Sequence, residues 1–132
     1  MKVVYVNTES EKDSRGSVEV MDIEMELEVY YDLLHCSTID IVVRKIDGKS
    51  YAIICDDEAT FVPMPKVSAV SRSMDMQMYG SLIVCALNER RYTDEGDDYR
   101  DLTDSEVMSI LRRGAVGTTR SYPQGLRMIV MD

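Results

Sequence analysis

Tyr79, Asn88, Arg90, Arg91 and Tyr92, with the later segment Gly117-Thr118-Thr119-Arg120-Ser121-Tyr122, are the residues of this chain whose types best suit a ligand. An aromatic ring offers a purine a face to stack on, and an Arg guanidinium both stacks and pairs with phosphate. An Asn amide presents a donor and an acceptor side by side, which matches an adenine edge. Gly and Thr in a loop expose backbone N–H groups and hydroxyls, which suit phosphate oxygens. Each of these residues alone is ordinary surface. Their joint occurrence in an otherwise acidic chain is what points to a nucleotide site, and the charge distribution agrees. The formal charge is −9, yet residues 88–106 hold eight acids against three arginines, whereas Arg112, Arg113, Arg120 and Arg127 in residues 107–132 face Asp132 alone. A basic, Gly- and Thr-rich end on an acidic chain suits an anion.

Other chemistry has weaker support. Asp56-Asp57-Glu58 offers the clustered oxygens that hard cations take, but consecutive residues at a strand end point in different directions, so these acids read as solvated. Cys36 follows the single His35 directly, and adjacency in sequence does not make a catalytic dyad. One histidine also leaves a His-based metal site or a Ser-His-Asp triad without its members. Neither G-x-x-x-x-G-K-[ST] nor G-x-G-x-x-G is present. The expectation is a binding protein with no catalytic residues, no metal and no cofactor.

The elements that must carry these residues follow from the pattern. The stretch 39–58, IDIVVRKIDGKSYAIICDDE, reads as two β-branched strands, 38–46 and 50–55, joined at Asp47-Gly48. Asp-Gly between two such runs is a strong hairpin signal, because both turn positions favour positive φ. Their apolar character argues for a hairpin central to a sheet and covered on at least one face. Residues 2–6, 18–23, 67–70, 81–87 and 126–131 read as further strands. Helical spacing of Met25, Val29 and Leu33, and of Leu27, Tyr30 and Leu34, predicts a helix over 24–34 with acids at its positive end. Thr103-Asp104-Ser105-Glu106 is a capping box that opens a helix to about Arg113, with Val107, Ile110 and Leu111 as its buried stripe and Gly114 as its stop. Pro63 and Pro65 keep 61–65 extended, and 88–102 and 115–125 read as loops. This predicts a single α+β domain over 1–132, with a mostly antiparallel β-sheet and two helices. No apolar run is long enough to span a bilayer, the start MKVVYV turns polar at Asn7, and an odd three cysteines, of which Cys55 and Cys85 sit in apolar strands, suit a reducing compartment. A cytoplasmic location is expected.

The runs IDIVVRKIDGKSYAIICDDEATF, PKVSAV, YGSLIVCAL and LTDSEVMSIL, in that order, resemble small phage-borne proteins of the anti-Thoeris type, the first described Thoeris anti-defence family. The similarity spans about residues 1–113. It implies a non-enzymatic sponge that binds cyclic ADP-ribose isomers and starves the Thoeris effector of its signal. It also implies a homo-oligomer, up to a hexamer, and in some members separate sites for cyclic trinucleotides. Carried onto this chain, Asn88 matches the family Asn, Arg120 the late Arg, and Tyr79 or Met78 the stacking position. The ligand set expected is thus Met78, Tyr79, Asn88, Arg90, Arg91, Gly117, Thr118 and Arg120, with no membrane and no direct nucleic-acid partner. The competing expectation is an acidic inhibitor that mimics DNA toward a host defence nuclease, motivated by the −9 charge. Ten methionines and abundant apolar strand residues independently suggest apolar area for self-association to cover.

Overall fold

The two strongly apolar runs, 51–55 and 82–86, lie side by side at the centre of the molecule. The computed structural model describes residues 1–88 and 99–132. In chain order it contains β1 (Lys2–Asn7), β2 (Ser17–Asp22), α1 (Leu27–Leu34), β3 (Ile39–Ile46), β4 (Lys49–Asp56), β5 (Val67–Ser71), β6 (Gln77–Tyr79), β7 (Leu82–Leu87), β8 (Tyr99–Arg100), α2 (Asp104–Arg112), β9 (Gly114–Gly117) and β10 (Leu126–Met131). One sheet runs β2-β1-β7-β4-β3, with β8 beside the end of β7, and a second runs β6-β5-β10-β9. Only β5 and β10 pair in parallel among the described residues. This is the expected α+β fold with two helices and mostly antiparallel sheets.

Period-two alternation sorts the side chains of the first sheet into two cores. Val4, Val6, Tyr51, Ile53, Leu82 and Val84 face the second sheet, where Ala69, Ile129 and Met131 meet them, together with Val107 and Ile110 of α2. Val3, Tyr5, Ala52, Ile54, Ile83 and Cys85 face the other way, under Tyr30 and Leu34 of α1. β4 and β7 are therefore buried on both faces, which is why they read as unbroken apolar runs.

The hairpin is less central than expected. Asp47 and Gly48 adopt the predicted positive φ, 52° and 81°, and β4 is interior. Among the described residues β3 pairs with β4 alone and forms an edge, with Ile41 44% and Val43 53% exposed. Its β-branched composition reports strand propensity, which does not distinguish an edge from a centre. The first helix starts at Leu27, three residues later than expected. The N-terminal ammonium donates to Asp22 Oδ1 (2.6 Å) and to the Ile23 carbonyl (2.9 Å), and these bonds continue the β1–β2 ladder. The chain stays extended as far as Glu26 (φ −129°, ψ 147°). The capping box forms as predicted, but Arg113 is the C-cap and Gly114 opens β9, a strand within what reads as a loop. Leu111 stands at the exposed margin of α2 and not in its buried stripe. A short 3-10 turn, Ala59–Phe61, precedes the extended prolines.

Candidate functional site

β2 is one edge of the first sheet and β9 one edge of the second, and the two edges face each other across an open groove of about 590 Å³. Ser17, Val18 and Glu19 of β2 form one wall, and Gly114, Ala115 and Val116 of β9 the other. Leu111 and Met128 supply apolar surface, and Lys12, Asp13 and Arg127 bring charge. The β1–β2 connection reaches this position because it is stitched to β10: the Arg127 N–H donates to the Arg15 carbonyl at 2.8 Å. Small residues keep the β9 wall close to β10. A Cβ on Gly125, which has φ +96°, would stand 2.6 Å from Val116 Cγ1.

The groove balances its charges, Lys12 and Arg127 against Asp13 and Glu19, on a chain that is acidic as a whole. Asp13 accepts the Arg15 backbone N–H (2.9 Å), a bond from Arg15 Nε (3.3 Å) and one from Arg127 Nη2 (3.1 Å). These donors, the Arg15 backbone N–H first, hold its carboxyl down to about 2. One carboxylate thus orients two guanidiniums beside Lys12. Ser17 Oγ, on the opposite wall, is buried and has no hydrogen-bond partner among the described residues. A buried hydroxyl without a partner costs free energy that a polar ligand atom would recover.

The residues expected from sequence fall in separate places. Met78 and Tyr79 are neighbours on β6 and point to opposite faces: Met78 packs on the main core, whereas Tyr79 packs on the outer face of the second sheet with Val67, Val70, Leu126 and Met128. Tyr122 joins that outer cluster, donates its hydroxyl to the Met64 carbonyl (2.6 Å), and has Lys66 Nζ 5.8 Å from its ring centre. Gly117 ends β9 beside Met128, and Thr118 and Arg120 are exposed on the loop that follows. The structure therefore brings Tyr79 and Tyr122 together, with the 117–120 segment leading from the groove toward them. Asn88 stands apart, since β7 separates it from Tyr79 by its full length, about 20 Å. Arg90 and Arg91, like Tyr92, lie outside the described residues.

A smaller cavity of about 120 Å³ sits at the other end of β7, between Ser81, Thr8 and Lys66. Thr8 N–H donates to Ser81 Oγ at 3.1 Å and Lys66 Nζ to the Thr8 carbonyl at 3.2 Å, so these three residues are already paired with one another. The three thiols are unsuited to nucleophilic attack: burial pushes Cys85 up to about 12, Cys55 up to about 11, and Cys36 upward as well. Among the described residues no group of His, Cys, Asp and Glu is arranged to hold a metal. No helix among them is long and apolar enough to cross a membrane.

Sequence reasoning missed Asp13 and Ser17 of the groove, and Arg15 that bonds Asp13, because they occupy a stretch that reads as a polar turn. The available signal was Arg127, already part of the basic end, combined with the Asp-x-Arg-Gly turn at 13–16.

This geometry belongs to a small two-sheet α+β domain with a charged inter-sheet groove. The chain is a member of the family described as "Domain of unknown function (DUF3846)", whose model matches residues 1–114. The matched region stops where β9 begins, so the β2 wall lies within it and nearly all of the β9 wall lies beyond. No curated protein and no solved structure matches the chain.

Proposed function

We propose that this domain binds a small anionic nucleotide in the groove between β2 and β9 and holds it without breaking a bond. The observation that carries the reading is that Arg127 and Lys12 line the groove together, with Arg127 held in place by the Asp13 carboxylate, beside a buried Ser17 hydroxyl that has no partner among the described residues. A groove of about 590 Å³ lies within the range of small-ligand sites. The free strand edges supply backbone N–H groups for phosphate oxygens, and Leu111, Val116 and Met128 supply apolar surface for a base. Ser17 has no base hydrogen-bonded to it, so its hydroxyl acts as a donor and not as a nucleophile.

The sequence resemblance narrows the ligand class to cyclic ADP-ribose isomers. The protein is then a cytoplasmic, self-assembling sponge that withdraws a defence signal from the infected cell, with cyclic trinucleotides as a second class. Isothermal titration with a cyclic ADP-ribose isomer, followed by heat release and mass spectrometry, tests this reading. It expects saturable binding and recovery of ligand with unchanged mass. Absence of binding, or recovery of a cleaved product, sinks it. The same titration separates the acidic-inhibitor alternative, which binds a host nuclease with steep salt dependence and takes up no small ligand.

A further inference from the structure

We propose that the free edge of β3 receives a second copy of this chain, paired antiparallel about a two-fold axis at Val42. This inference does not rest on the ligand reading.

The Asp47-Gly48 turn sets the phase of the strand. Counting back from it, residues 40, 42, 44 and 46 turn their main-chain groups toward β4, and 39, 41, 43 and 45 turn theirs outward. The outward phase is visible at Lys45, whose carbonyl accepts the Asp132 N–H at 2.9 Å. Pairing across a two-fold must match outward residues with outward residues, so its axis passes through a residue and not between two. With the axis at Val42, Ile41 faces the other copy's Val43, and Asp40 faces the other copy's Arg44. Moving the axis to residue 41 or 43 sets Asp40 against Val42 or Ile46 and loses both charge pairs.

Two features of the lone chain fit this register. The groups that such a ladder needs are held by these same two side chains: Asp40 Oδ1 accepts the Ile41 N–H (2.9 Å), and Arg44 Nη1 donates to the Val43 carbonyl (2.8 Å). Arg44 also keeps Nε buried with no acceptor. On pairing, the Asp40 carboxylate exchanges the Ile41 N–H for the facing guanidinium, which regains an acceptor. The freed Ile41 N–H and Val43 carbonyl then bond across the axis. Ile41 and Val43, 44% and 53% exposed, meet their counterparts on one face of the joined sheet. The ladder closes at Lys45, where Asp132 already holds the carbonyl. Charge complementarity in a single register favours a second copy over an unrelated strand.

Light scattering on the full chain at micromolar concentration tests this. The expected mass is twice 15.0 kDa, or an even multiple. Asp40→Arg and Arg44→Asp each place like charges across the axis and raise the dissociation constant about tenfold or more. An equimolar mixture of the two variants places opposite charges at both positions and restores association. Circular dichroism verifies that each variant is folded, and both positions are on a strand edge where charge reversal is tolerated. A monomeric wild type assigns Asp40 and Arg44 to protecting a solitary edge and overturns the proposal. So does association that is indifferent to the reversals, or folded variants that do not associate on mixing.

Discussion

Arg127 Nη2 lies 3.1 Å from Asp13 Oδ2, and this contact ties the β1–β2 connection of one sheet to the first turn of β10 in the other. Arg15 holds the same carboxylate, so a single acid positions two guanidiniums, of which that of Arg127 lines the groove. The pair is partly exposed, and solvent screening leaves it little weight in stability. Its weight is in binding. Arg127→Gln is expected to leave the melting temperature nearly unchanged while lowering affinity for an anionic nucleotide about tenfold or more, read by calorimetric titration beside thermal denaturation.

Ser17 provides the complementary test on the facing wall. Removing its hydroxyl deletes a buried donor that has no partner in the free protein. Ser17→Ala is therefore expected to be neutral or slightly stabilising, by about 0.5–1 kcal/mol, and to weaken ligand binding. Chemical denaturation and titration of the same sample decide it. A clear loss of stability contradicts the assignment.

Glu106 anchors the opposite side of the molecule. Its carboxylate is 5% exposed and meets Arg100 Nη1 at 2.6 Å and Lys49 Nζ at 2.7 Å, while Oε1 accepts the Thr103 N–H at 2.9 Å. One residue thus closes the capping box, holds β8 and reaches the hairpin turn. Glu106→Gln keeps the shape but removes the buried anion that these two cations share, and is expected to cost about 3 kcal/mol in urea unfolding.

The same carboxylate sets an acid limit. The Arg100 guanidinium, opposed by burial, holds the Glu106 pKa well below its ordinary value of 4.5. A carboxyl whose folded pKa lies below its unfolded one stabilises above the unfolded value, and that contribution fades as pH falls through the folded value. Asp13, held down to about 2 from 3.8, acts in the same direction. The urea midpoint is expected to change little from neutrality to about pH 5 on account of these groups and then to fall. Glu106→Gln should flatten that fall.

Gly125 controls the spacing of the β9 wall. An alanine there adopts φ +96° and drives its Cβ to 2.6 Å from Val116 Cγ1. Gly125→Ala is expected to destabilise by about 1–3 kcal/mol, through backbone strain and displacement of Val116, and to lower ligand affinity because the wall moves. Gly117→Ala meets only the flexible tip of Met128, at 2.8 Å from Cε, and should cost less. Paired thermal melts rank the two.

The fold was more legible than the site, for physical reasons. Positive φ at Asp47 and Gly48, the reciprocal Thr103–Glu106 cap and the two-sided burial of β4 and β7 are local chemistry, and local chemistry is written in adjacent residues. Whether β3 is central or an edge depends on which strands arrive beside it, which its own composition does not encode. β9 escaped because Gly114-Ala115-Val116-Gly117 has little strand propensity and is held as a strand by β10. Tyr79 and Tyr122 reach the same apolar cluster only through the β6-β5-β10 order of the second sheet, and Asp13 meets Arg127 across 114 positions of sequence. Such pairings are products of topology.

Calorimetric titration of the wild-type chain with a cyclic ADP-ribose isomer, with Arg127→Gln in parallel, measures the central claim most directly. The expected result is saturable binding by the wild type, weakening by about tenfold or more in the variant, and ligand recovered intact after heat release. Equal affinities in wild type and variant would contradict the groove as the site, and absence of binding or release of a cleaved product would contradict the sponge itself.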